Sequence, residues 1–177
     1  LMLNLSDKLT VGHLKVKGIK KKYNDKIFYT GNPIRPEISK YKKDYKTHHQ
    51  DGFLNLLIFG GSQGASFFSD IIPDSINKLD NKKKSLLRVF HQVRINEFER
   101  VKKCYHSMNV KSEVKTFFYN LPELLNNSHL LISRSGASTV AEVAATKTPA
   151  IFIPFHHSID DDQRLRELSG GMKRRVL

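Results

Sequence analysis

The chain has 177 residues, 39% hydrophobic and 27% charged, proportions that exclude a disordered polymer and leave room for one domain with a substantial core. Lys and Arg (30) outnumber Asp and Glu (17) to give a net charge of +13, a surface that attracts nucleic acid, anionic lipid or phosphorylated ligands. No apolar run approaches the roughly 20 residues of a membrane-spanning helix, no signal-peptide pattern opens the chain, and Cys104 lacks an internal disulfide partner, which points to a reducing compartment.

In chain order, basic runs come first, with "KVKGIKKKY" near the start, then "KKDYK", and later "NKKKS" at 81–85. No zinc-finger, homeodomain or RNP motif accompanies them, so a solvated or membrane-facing surface is expected and nucleic acid is not. The chain begins with Leu, as a fragment would.

"KIFYTGNP" (26–33) predicts a short strand ending at a turn, and 36–52 reads as a charged connection. "FLNLLIFGG" (53–61) predicts a stronger strand stopped by two glycines. A helix is expected over 65–79, kinked or broken at Pro73. A strand at 86–92 and an amphipathic helix at 95–108 follow. Then come a strand near "EVKTFF", a short helix near "LPELLNN", a strand at "HLLISR", a helix over 136–145 and a strand at "PAIFIPF". This alternation implies an α/β fold, a parallel sheet with helices on both faces.

Ligands in such sheets lie beyond the carboxyl ends of the strands. Three loops there carry chemistry: "TGNPIR", "GGSQGA" and "SRSGAST". In the second, the helix is expected to open after Ser62, Gln63 and Gly64. Glycines let a backbone approach a ligand closely, and a helix start offers unpaired N–H groups to an anion. Tight packing explains such a turn equally well, and neither a Walker A loop nor G-x-G-x-x-G is present. In the third loop, Ser138 and Thr139 lie four and three residues before Glu142, so hydroxyls and carboxylate share a helix face. A carboxylate can accept from both hydroxyls of a vicinal diol, as in a ribose; a solvated helix glutamate is the plainer reading. His91 and Gln92 close a strand and are expected to face the cleft. "HHSIDDD" at 156–162 reads as an exposed polar loop rather than a metal site.

The ordered set "TGNPIR", "LLIFGGSQGA", "HQ", "LLISRSGASTVAE" and "PAIFIPF" with "DDDQ" resembles the C-terminal half of the MurG-type glycosyltransferases of family 28, from about Phe28 to Gln163. The resemblance implies one Rossmann-like half of a two-domain GT-B enzyme, with 26–163 as the donor domain and 1–25 as a remnant of the preceding region. It implies inverting transfer of N-acetylglucosamine from UDP-N-acetylglucosamine to lipid-linked muramoyl-pentapeptide in peptidoglycan synthesis. It also implies a peripheral position on the cytoplasmic face of the bacterial inner membrane, and no cofactor or metal. Arg35 matches the donor-site arginine, and Ser62 the serine beside the diphosphate, with Gln63 and Gly64 alongside. Phe118 stands where the family carries Ile beside the uracil. Ala137, Ser138, Thr139, Val140, Ala141 and Glu142 match the phosphate and ribose segment, with Glu142 on the ribose hydroxyls. Gln163 matches a glutamine that bonds the sugar.

No catalytic residue is identified; the family's general base and lipid-acceptor loops belong to the N-terminal domain, so the 177 residues are expected to lack turnover. The alternative is a non-catalytic UDP-sugar-binding module. After Gln163 the pattern is lost, and the 164–177 tail contains "LSGGMKRR", which resembles the signature motif of ATP-binding cassette ATPases. Without a Walker A loop an ATPase fragment is disfavoured, and a fusion or frameshift is expected.

Overall fold

The computed structural model describes residues 5–13, 16, 18–41 and 51–154, with 62–65 described by backbone alone. The chain divides into two compact units, Leu1–Ile34 and Arg35–Leu177. In the first, β1 (Leu9–Val11) pairs in parallel with β2 (Ile27–Tyr29), Leu9 opposite Ile27. A 3-10 turn at Lys21–Lys26 leads into β2, and Lys26 Nζ donates to the Ser6 carbonyl at 2.6 Å. β1 carries too few apolar residues to stand out in the sequence.

The second unit is built on a five-stranded, wholly parallel sheet. Its strands are β3 (Leu54–Phe59), β4 (Leu87–Gln92), β5 (Lys111–Lys115), β6 (Leu130–Ser133) and β7 (Ala150–Phe152), in the spatial order β5-β4-β3-β6-β7. The helices are α1 (Gly61–Asn77), α2 (Asn81–Ser85), α3 (Phe98–Ser107), α4 (Leu121–Asn127) and α5 (Ala137–Thr146). β3 is central, and its residues from Asn55 to Phe59 are buried on both faces, as expected of a strand covered by helices above and below. One face packs Leu56 and Ile58 with Phe68, Ile72 and Ile76 of α1 and Val101 and Tyr105 of α3. α4 packs on β3 and on α5. There the Asn55 amide donates to the Asn127 carbonyl at 2.9 Å, and Thr148 Oγ1 donates to the Leu125 carbonyl at 2.7 Å.

Three sequence expectations are corrected. α1 begins at Gly61, so Ser62, Gln63 and Gly64 form its first turn instead of preceding it. Pro73 neither breaks nor ends the helix. Proline removes the N–H that would bond the carbonyl four residues back, and that Ser69 carbonyl is instead approached by Arg100 Nη1 at 3.5 Å. The stretch read as a connection contains a 3-10 turn, Pro36–Lys40, anchored by the fully buried Ile38. α2 also went unread, because "NKKKS" looks like a charge run; Asp80 caps it by accepting from the Lys83 N–H at 2.8 Å. No helix among the described residues is long and apolar enough to cross a membrane.

Candidate functional site

The strand order fixes where a ligand fits. From β3 the chain steps outward to β4 and β5, then returns to the other side of β3 as β6. This reversal is a topological switch point, where loops from adjacent strands part and leave a crevice. The loops that part there are the Gly60–Gly61 turn after β3 and Arg134–Gly136 after β6.

Both helices that open at this point lack a capping side chain. Gly60 is the N-cap of α1 and Gly136 that of α5, and neither can supply one. The first N–H groups of an α-helix have no intrahelical partner, so Ala137, Ser138 and Thr139 direct theirs out of the helix end. The Val140 N–H is already bonded to the Gly136 carbonyl at 2.9 Å. Gly61 has φ +66°, a conformation that other residues resist, while the space where its Cβ would stand is open. Beside it a cleft of about 370 Å³ is lined by Gly61, Gln92, Arg94, Ile95, Asn96 and Thr116 at the carboxyl ends of β3, β4 and β5. The loop after β6 is braced by Arg134. Its guanidinium donates to the Pro154 carbonyl at 2.8 Å and lies over the rings of Phe67 (4.5 Å) and Phe68 (5.2 Å).

One turn into α5, Glu142 is 5% exposed, far from a solvated helix glutamate. Its carboxylate is gripped by Arg35, with Nε donating to Oε1 at 2.7 Å and Nη2 to Oε2 at 2.5 Å. Arg35 is held by its place as N-cap of the 3-10 turn Pro36–Lys40, which packs on α5. Hydrogen bonding to Glu142 pushes the Arg35 guanidinium above its ordinary range, against the opposite pull of burial.

The structure thus brings together Arg35, Glu142 and the first turn of α5, within which Ser138 is exposed and Ala137, Thr139 and Ala141 are partly so. Val140 is buried and belongs to the core. The backbone of Ser62, Gln63 and Gly64 opens α1 at the same crevice. Phe118 is 2% exposed, so its ring presents almost no surface. Its neighbours Phe117 and Tyr119, which sequence reasoning passed over, are exposed and stack edge to face at 4.9 Å. Their "FFY" clustering was the available signal. His91 does not face the cleft. It is fully buried, with Nδ1 2.9 Å from the Tyr105 hydroxyl, and burial pulls its pKa down to about 4. Only Gln92 reaches the cleft, donating from Nε2 to the Thr116 carbonyl at 3.2 Å. Gln163, the "HHSIDDD" loop and the 164–177 tail lie outside the described residues.

Comparison with known proteins agrees with this architecture. Residues 55–167 match the glycosyltransferase family 28 C-terminal domain. A protein of Rhizobium etli (strain CIAT 652), named UDP-N-acetylglucosamine--N-acetylmuramyl-(pentapeptide) pyrophosphoryl-undecaprenol N-acetylglucosamine transferase, is 40% identical over 142 residues, 80% of this chain and 38% of the relative. A protein of the same name from Rhizobium rhizogenes is 38% identical over 156 residues, 85% of this chain and 42% of the relative. The crystal structure of Acinetobacter baumannii MurG superposes with a TM-score of 0.63 at 28% identity, over 81% of this chain and 39% of that one. The chain therefore spans about two fifths of the length of these relatives.

Proposed function

Since the chain belongs to glycosyltransferase family 28, whose C-terminal domain it carries, we propose that it is the donor-binding half of an inverting N-acetylglucosaminyltransferase of peptidoglycan synthesis. In this reading the ligand is UDP-N-acetylglucosamine. Its diphosphate lies across the starts of α1 and α5, where two helix dipoles and unpaired N–H groups favour negative charge. Glu142 accepts from the ribose hydroxyls, the "FFY" segment flanks the uracil, and Gln163 meets the sugar.

The observation that carries the proposal is the pairing of two uncapped helix starts at the switch point with a carboxylate held one turn behind the second. Anion-ready N–H groups alone suit any phosphate; a fixed acceptor at that spacing suits a nucleoside diphosphate.

The chemistry is attack of the acceptor hydroxyl on the anomeric carbon as UDP departs. The same helix starts stabilise the charge that grows on the leaving diphosphate. The lipid-linked acceptor and the general base belong to the enzyme's other domain, and the basic surface suits a peripheral place on the anionic cytoplasmic face of the membrane. Residues 26–163 form the donor domain on this reading, with 1–25 and 164–177 outside it.

The test is isothermal calorimetry of the 177-residue chain with UDP-N-acetylglucosamine, followed by competition with UDP. Saturable binding displaced by UDP supports the proposal, and no binding would refute it.

A further inference from the structure

The bidentate ion pair between Arg35 and Glu142 carries an inference about the division of labour in this site, and it rests on the uridine reading above. A donor-site arginine beside two anion-ready helix starts invites assignment to the diphosphate. The geometry places it elsewhere. Two of its five N–H donors, on Nε and Nη2, are engaged by the two oxygens of one carboxylate, and that carboxylate is nearly buried.

A carboxylate offers about four lone-pair positions, and a two-pronged guanidinium uses one on each oxygen. One acceptor position per oxygen remains, which matches the two hydroxyls of a vicinal diol. Without a partner the Glu142 side chain would be free to turn toward water and would lose its direction. Arg35 is well placed to prevent this, because its backbone caps a turn fixed by Pro36 and by the fully buried Ile38.

We propose that Arg35 is a positioning residue for ribose recognition: it remains on Glu142 when the donor binds, holding the carboxylate aimed at the diol, while the helix starts alone take the diphosphate. Lysine cannot replace it fully, since a single ammonium lacks the planar fork.

The experiment compares UDP, UMP and 2′-deoxy-UDP by calorimetry on the full 177-residue chain and on Arg35→Ala, Arg35→Lys, Glu142→Ala and the double alanine variant. Circular dichroism confirms that each variant folds, and Arg35→Lys keeps the charge where Arg35→Ala destabilises the fold. In the wild type the ribose hydroxyl is worth about tenfold or more in affinity, the range for a hydrogen bond to a charged group. Arg35→Ala is expected to erase most of the UDP over 2′-deoxy-UDP preference and leave the UDP to UMP ratio unchanged. Arg35→Lys is expected to restore only part of that preference, and the double variant to bind no worse than Glu142→Ala. A collapsed UDP to UMP ratio with the ribose preference intact, or additive losses in the double variant, would overturn the inference alone. Failure of the wild type to bind UDP would overturn the uridine reading and this inference with it.

Discussion

Arg35 and Glu142 lie 107 residues apart in the sequence and meet as a two-pronged ion pair, the arginine on the turn that opens the second unit and the glutamate on α5. The contact joins the first and nearly the last described elements of that unit. It also places the only buried carboxylate among its described residues one turn from an uncapped helix start.

Glu142→Ala is expected to weaken UDP binding by about 1.5–3 kcal/mol, the range for hydrogen bonds to a charged group. The fold should persist, because the Arg35 side chain left behind is 42% exposed and can turn to water. Calorimetry and thermal melting read the two effects separately. Unfolding of the variant with undiminished affinity in the folded fraction would make Glu142 a structural residue.

His91 confers a pH dependence of stability. Its pKa falls from 6.5 to about 4 on folding, mainly through burial, with the Glu97 carboxylate opposing the shift. The unfolded chain therefore binds a proton that the folded chain refuses, and stability drops as pH falls from about 6.5 toward 4. Each pH unit in that window removes about 1.4 kcal/mol, on the order of 3 kcal/mol in all. Urea unfolding between pH 7 and pH 4.5 measures the slope. His91→Gln should flatten it relative to wild type; equal slopes would mean that His91 is not the titrating group.

Gly61→Ala should destabilise the domain by about 1–2 kcal/mol, because the cost is that of a positive φ for an L-residue. The space around the absent Cβ is open, so no clash adds to it. Gly61→Asn should cost less, since asparagine tolerates that conformation better. Thermal unfolding ranks the three proteins, and an asparagine variant less stable than the alanine one would contradict the backbone argument.

The sheet was legible because β3 and β6 are apolar runs of strand length that lead into Gly60-Gly61 and Ser135-Gly136, and because β4 is a run of the same length centred on Val89 and Phe90. Helix starts were less so. "GGSQGA" has the composition of a loop, yet Ser62 to Gly64 are already helical. His91 was misread for a related reason: a polar residue near a strand end suggests a ligand, whereas the Tyr105 hydroxyl on α3 satisfies one ring nitrogen inside the core. The family motifs located Arg35 and Glu142 separately. Their mutual contact depends on a 3-10 turn that the charged segment after "TGNPIR" conceals, and no local pattern announces it.

The 177 residues made by themselves should hold the donor without transferring it. Transfer needs the acceptor hydroxyl about 3–3.5 Å from the anomeric carbon with a base in reach. Radiolabel transfer to lipid-linked acceptor should appear only when an N-terminal half from a relative is supplied in trans. Turnover by the chain alone would show that the catalytic base lies among these residues.

The donor-site assignment meets its most direct test in the base preference of the nucleotide. Titration of the chain with UDP and, separately, with ADP compares two ligands of the same charge, diphosphate and ribose, so that only the base differs. A uridine diphosphate site predicts that UDP binds at least about tenfold more tightly, 1.4 kcal/mol or more. Equal affinity for ADP, or no affinity for UDP, would contradict it.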